Sequence, residues 1–192
     1  MVVTTEQLNT VLSDLEYPPL SEEDAEIIVG QTNDMTDDFE EAVMFLTQLI
    51  HESGGFKHRK EHEGKTKKYA PFYGRGYIQL TYEENYQGAS MAIFGDERLV
   101  KNPKMVSDSV EMSMRVSVWF WEAKVRPAVG PSNHSFNRTT QVINGELEPP
   151  GSDKAEGRHA LFIKVYNSFC RVANRNRSIP KQDDNNEWCS VL

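Results

Sequence analysis

The sequence predicts a mainly α-helical fold with one small β element. Three observations carry that prediction. Apolar residues recur at three- and four-residue spacing through most of the chain, and several such runs open on Ser, Thr or Asp with Gln or Glu three residues later. Proline and glycine pairs close two of these runs. A single stretch, Tyr73–Leu80, combines β-type residues with two glycines, which predicts a short strand or hairpin.

Taken in order, Thr4 with Gln7 forms a capping box ahead of Leu8, Val11, Leu12 and Leu15, and Pro18-Pro19 ends that helix. Ser21 opens a short helix through Ile27-Ile28. Asp37 with Glu40 opens a third, with Phe39, Val43, Leu46 and Ile50 on one stripe and Ala42, Phe45 and Leu49 beside it. So wide an apolar face predicts deep burial, and Gly54-Gly55 stops the helix. Thr81 with Glu84 reads as a further capping box for a helix ending at Gly95. Ser107 or Asp108 starts a helix through Met112, Val116, Trp119 and Phe120, and a short one ends at Asn144-Gly145. Asp153 with Glu156 starts the last, through Leu161, Phe162, Val165, Tyr166, Phe169 and Val172. A polar tail follows from Arg175.

The chain has 192 residues, the size of one domain, and 38% hydrophobic residues supply a core. No apolar run approaches the roughly 20 residues of a membrane span. The opening MVVTTEQLNT lacks the basic start and apolar stretch of a signal peptide. Net charge is −8, unevenly spread: residues 1–50 hold twelve Asp/Glu and no Lys/Arg, and the remainder holds 17 acids against 21 bases. An acidic first quarter argues against nucleic-acid binding, since no long basic face can run through it. Two cysteines, Cys170 and Cys189, are too few for a disulfide scaffold; one bridge or two thiols are both open.

The chemistry concentrates in residues 51–86. His51-Glu52-Ser53-Gly54-Gly55-Phe56 ends the buried helix. A carboxyl in a last helical turn faces the negative end of the dipole and loose carbonyls, which favours the protonated form, as does nearby apolar surface from Phe45, Leu49 and Phe56. Glu52 is therefore a candidate proton donor. Nine residues on, Glu61 lies among Lys57, His58, Arg59, Lys60 and His62, company that suits an anion. Two carboxyls of opposite tendency are what hydrolysis of an acetal needs: one protonates the leaving oxygen, the other activates water. Tyr73-Gly74-Arg75-Gly76-Tyr77-Ile78-Gln79-Leu80-Thr81, running on to Asn85-Tyr86, offers close backbone approach at glycine, flat aromatic faces for a sugar ring, and the mixed donors and acceptors of Gln79 and Asn85.

HESGGF, a Glu nine residues on, YGRGYIQLT, NY, Asn102-Pro103, Trp119–Trp121 and Ile143–Gly145 occur in the order seen in glycoside hydrolase family 19, which the chain resembles over about residues 40–170. These are plant-type chitinases and related bacterial and phage lytic enzymes. The resemblance implies a lysozyme-like bilobal helical domain, with a small β-hairpin element lining a cleft, that inverts as it hydrolyses β-1,4 links between N-acetylglucosamine units. It makes Glu52 the general acid, Glu61 the general base and Thr81 the group that helps hold the attacking water. Tyr73, Arg75, Gln79, Asn85 and Asn144 become substrate-binding residues, and Arg158, matched to an Arg that supports the base, joins them. Inversion implies carboxyls roughly 6.5–9.5 Å apart. No metal or cofactor is implied, the partner is the polysaccharide alone, and a monomer is expected. Glu84 replaces a Tyr common in plant members, and Tyr77 replaces a Pro, as in the bacterial and phage branch. The expected layout is a catalytic domain over 1–175, with an acidic helical part at 1–50, and a tail at 176–192.

Rival readings exist. His58-Arg59-Lys60-Glu61-His62 fits H-x-x-E-H, a zinc-peptidase pattern that needs a helix, here flanked closely by glycines. A non-catalytic carbohydrate binder shares the same residues. Peptidoglycan is the alternative substrate; the acidic net charge favours neutral chitin, while cations near Glu61 pull the other way. Sequons at Asn133, Asn137 and Asn176 and a C-terminal Cys189-Ser190-Val191-Leu192 prenylation box predict opposite compartments, so location stays open.

Overall fold

The computed structural model describes residues 1–130 and 134–174. It is mainly helical: α1 (Thr5–Asp14), α2 (Glu22–Met35), α3 (Phe39–Ser53), α4 (Glu83–Phe94), α5 (Arg98–Lys101), α6 (Val110–Phe120), α7 (Arg126–Val129), α8 (Phe136–Asn144) and α9 (Asp153–Val172). Three-residue and five-residue 3₁₀ turns sit at Gly64–Thr66 and Pro103–Ser107, and a π-helical turn, Trp121–Val125, joins α6 to α7.

The capping chemistry explains most boundaries. Thr4 and Gln7 make both bonds of the capping box. Ser21 caps α2, which runs to Met35, well past the short helix the sequence suggests. Asp38, one residue beyond the predicted Asp37, accepts from Glu41 N–H to open α3; Gly54 closes it in the left-handed region at φ 62°. Ser109 and Ser152, rather than Ser107 or Asp108 and Asp153, cap α6 and α9. In each of these shifts a hydroxyl or carboxyl one or two residues away reaches the third amide of the first turn.

Two expectations fail. Thr81 does not cap α4: the N-cap is Tyr82 at φ 72°, without a side-chain cap, and the Thr81 hydroxyl donates to Gln79 O at 2.9 Å. The β-hairpin shrinks to isolated bridges, Lys60 with Arg75 and Arg75 with Leu80. Left-handed backbone at Gly76 and Gln79 turns the chain too tightly for a ladder to extend.

Helix α3 is the spine. Phe39, Val43, Phe45, Leu46, Leu49 and Ile50 are all buried, and α3 packs on α2, α8 and α9. Each such side chain contributes about 1.5–3 kcal/mol by leaving water. Phe136 stacks on Phe162 at 4.4 Å, joining α8 to α9. Trp121 is core rather than a sugar platform: it is 1% exposed, meets Phe45 edge-on, and donates to Glu41 Oε1 at 3.0 Å. Cys170 is buried in the same core. Among the described residues no helix is long and apolar enough to cross a membrane. Cys189, the sequons at Asn133 and Asn176 and the tail 176–192 lie outside the described residues. Asn137 lies within α8, and the Thr139 of its sequon is fully buried.

Candidate active site

The predicted residues fall into three groups: an acid side around Glu52 and a base side around Glu61, named for their expected roles, and a strut. The acid side is built on α3 and α9. Glu52, in the last turn of α3, has its Oε1 2.6 Å from Arg158 Nη1, yet that oxygen makes no well-aligned hydrogen bond. Arg158 is 1% exposed and its other bonds are good: Nε and Nη2 donate to Glu148 at 2.8 and 2.6 Å, and Nη1 donates to Gln48 Oε1 at 2.8 Å. Gln48, one turn before Glu52, is fully buried and spends its amide on Thr139 and Thr140. Asn144 donates to Glu148 Oε1 at 2.7 Å. Arg158, which the resemblance sets in support of Glu61, lies against Glu52.

Electrostatics follow from that arrangement. Burial raises the Glu52 carboxyl above the ordinary carboxylate range; Arg158 opposes this, and Glu148 adds to it. Glu148 itself is buried, a cost that its bonds to Arg158 and Asn144 outweigh, so its carboxyl is held low. Arg158 makes its aligned bonds to Glu148 and Gln48 rather than to Glu52, so its lowering effect on Glu52 does not outweigh burial. His51 Nε2 lies 3.9 Å from Glu148, and burial pushes the imidazole down to about 4, with Arg158 adding to the effect.

The base side is built on the segment after Gly55. Residues 58–62 form no helix, so the two imidazoles of the H-x-x-E-H pattern share no helical face. Glu61 Oε1 accepts from Tyr69 Oη at 2.8 Å, Oε2 accepts from Gly74 N–H at 3.1 Å, and Lys67 Nζ stands 3.7 Å from Oε1. Gly74 allows a close approach: a Cβ there would lie 2.8 Å from Gln79 Oε1 and 3.2 Å from Glu61 Cβ, so the Gln79 side chain would have to shift. Gln79 Nε2 donates to Gly76 O at 3.0 Å, and Asn85 Nδ2 donates to Thr81 O at 2.8 Å. Glu61, Gln79, Thr81 and Asn85 are therefore brought together, with the Thr81 oxygen left as an acceptor. Phe56 meets Tyr77 edge-on at 5.1 Å and ties the connecting loop to this side.

Tyr73 and Arg75 are the strut. Arg75 is 5% exposed, lies 3.6 Å over the Tyr73 ring, and donates from Nη1 to Pro71 O and Tyr86 Oη, each at 2.8 Å. Tyr86 Oη donates to Tyr73 O at 2.6 Å.

Sequence reasoning missed Glu148, Gln48 and Tyr69. A buried Arg158 demands a carboxylate, and that was the usable signal for Glu148; Gln48 lies four residues before Glu52 on the same helical face. For Tyr69 no local signal exists. Among the described residues, Asp38, Glu40 and His134 alone meet the spacing of a metal site. Asp38 already caps α3 through Oδ1 and pairs with His134 Nε2 at 2.7 Å, which accounts for the cluster. A cavity of about 90 Å³ beside it, lined by Glu41, Trp121 and Arg126, touches neither Glu52 nor Glu61.

The family model for class I chitinases matches residues 58–173. Endochitinase EP3 of Arabidopsis thaliana is 30% identical over 156 residues, which are 74% of this chain and 54% of that protein. Chitinase 11 of Oryza sativa subsp. japonica is 41% identical over 88 residues, 46% of this chain and 30% of that protein. Chitinase C from Streptomyces griseus HUT6037 superposes with a TM-score of 0.66 at 25% identity, over 88% of this chain and 92% of that one. A bacterial family 19 chitinase superposes at 0.65 and 24% identity, over 95% and 98%. The chain spans about half the length of the first curated relatives it matches.

Proposed function

The chain belongs to glycoside hydrolase family 19, the class I chitinase family, and on that premise we propose that it is an inverting endo-glycosidase cutting β-1,4 links between N-acetylglucosamine units in chitin or chito-oligosaccharides. Residues 1–175 are its catalytic domain. Glu52 is the general acid. It lies outside the matched segment 58–173, so its role rests on its surroundings. The observation that carries the reading is the contrast between the two carboxyls: Glu52 is half-buried and pushed up beside a guanidinium already paired with Glu148, while Glu61 is held by a phenol, an amide N–H and an ammonium.

The chemistry follows. Glu52 gives its proton to the glycosidic oxygen as the C–O bond breaks, and the carboxylate left behind faces Arg158 at 2.6 Å. Glu61 takes a proton from water on the opposite face of the sugar, and that water adds to the anomeric carbon with inversion. The Thr81 oxygen accepts from the water. Gln79 and Asn85 position the sugar on the base side, and Asn144 on the acid side; Tyr73 and Arg75 hold the floor beneath them.

The test is product analysis on chito-oligosaccharides and on peptidoglycan. Initial α-anomer is expected, and Glu52→Gln loses turnover by at least about 10²-fold while keeping ligand. Initial β-anomer, or no cleavage of either polymer by folded protein, overturns the proposal. Unchanged turnover in Glu52→Gln leaves a different acid to be found.

A further inference from the structure

Residues 57–68 carry six Lys/Arg against two Glu, inside a chain whose net charge is −8. Lys57, Lys60, Lys65, Lys67 and Lys68 are exposed and Arg59 is half-buried. Among the described residues Lys67 alone of the six has a salt-bridge partner, and that partner is Glu61. The other five have no carboxylate within ion-pair distance among the described residues. Their segment is also pinned in place. Glu61 N–H donates to Gly74 O at 2.8 Å and Gly76 N–H to Arg59 O at 3.0 Å. Gly64 lies against the Tyr73 ring so closely that a Cβ would sit 2.2 Å from it. A run of cations is thus held on the loop that carries the base.

We propose that this loop is a cationic rim selecting N-acetylglucosamine polymers that bear carboxylates, and disfavouring deacetylated ones that bear ammonium groups. The inference rests on the glycosidase reading above. The acidic net charge does not oppose it. Screening at physiological salt acts over about 8 Å, so a substrate at Glu61 feels the cations of its own loop most strongly. Of the twelve acids of residues 1–50, Asp24 on α2 comes near Arg59, since both act on the Tyr77 hydroxyl; none forms an ion pair with the five lysines of the loop among the described residues. Carboxylates along the glycan meet the rim with unpaired ammonium and guanidinium groups, and association gains an electrostatic component.

The experiment uses the whole chain and polymers of one backbone: neutral glycol chitin, carboxymethyl chitin and partly deacetylated chitosan, at about 20 mM and about 500 mM salt. At low salt kcat/KM for carboxymethyl chitin exceeds that for glycol chitin by about tenfold, and chitosan falls below both; high salt collapses the differences. The double reversal Lys65→Glu with Lys68→Glu removes the advantage, whereas Lys124→Glu with Lys164→Glu, the same charge change elsewhere, keeps it. A ratio indifferent to salt, or one lowered equally by both double reversals, overturns the rim. If the neutral polymer is cleaved and the ratio is flat, the rim alone falls. If no polymer is cleaved, the glycosidase reading falls, and retention of the protein in gels cast with each polymer still judges the rim. Salt-sensitive retention by carboxymethyl chitin supports it, and equal retention by all three overturns it. Purified peptidoglycan run alongside separates a wall polymer from a modified chitin as the source of the charge.

Discussion

Arg158 stands 2.6 Å from Glu52 and, through its other two guanidinium nitrogens, binds both oxygens of Glu148. One buried cation is shared between two carboxyls, and the sharing is unequal. Glu148 has the aligned bonds and is held low, while Glu52 has proximity alone and is pushed up. A raised carboxyl and its counter-charge are thereby set within one cluster.

Glu148→Gln tests that sharing. The Glu148 charge helps to raise the Glu52 carboxyl; without it Arg158 acts on Glu52 undiluted. The alkaline limb of the pH–activity profile, where the protonated acid is lost, moves to lower pH. A limb that stays in place while activity merely falls shows that Glu148 is structural only.

His51 gives a stability signature in a defined window. Its folded value is lowered from 6.5 to about 4, mainly by burial. Between those values the unfolded chain binds the proton and the folded chain does not, so stability falls as pH falls from 6.5 towards 4. His159, also lowered by burial, adds in the same sense. Glu148 and the other lowered carboxylates act at more acid pH still, and Glu52, being raised, loses stability as pH rises. Melting temperature measured from pH 7 to pH 5 declines in the parent, and His51→Gln reduces that decline. Equal slopes refute the assignment.

Tyr69→Phe removes one hydrogen bond to Glu61 and keeps the ring against Tyr82, which it meets edge-on at 5.5 Å. A bond to a charged acceptor is worth about 1.5–3 kcal/mol, so kcat falls by about tenfold or more with KM little changed. Steady-state kinetics reads the split between kcat and KM, and an unchanged kcat refutes the role of Tyr69.

Arg75→Met separates a strut from a sugar contact. Arg75 is buried, and its loss strips a donor from Pro71 O and Tyr86 Oη. Stability drops by about 2–3 kcal/mol. Chemical denaturation measures it. A variant of parental stability whose KM rises instead would place Arg75 against the substrate.

The sequence alone determined the helices and the local chemistry, because both are written at short range. Thr4 with Gln7, the apolar stripe of α3 and Gly54 at its end each act within a turn or two, and so does the placing of Glu52 in a final helical turn. Only the tertiary structure decided which partners meet. Arg158 reaches across from α9 to Gln48 and Glu52 on α3, more than a hundred residues away, and Tyr69 comes down on Glu61 through a loop with no period to read. Thr81 shows the same division at small scale. Its type suits an N-cap, but Tyr82, in the left-handed region with its N–H bonded to Phe72 O, takes the cap position, and the Thr81 hydroxyl donates to Gln79 O instead.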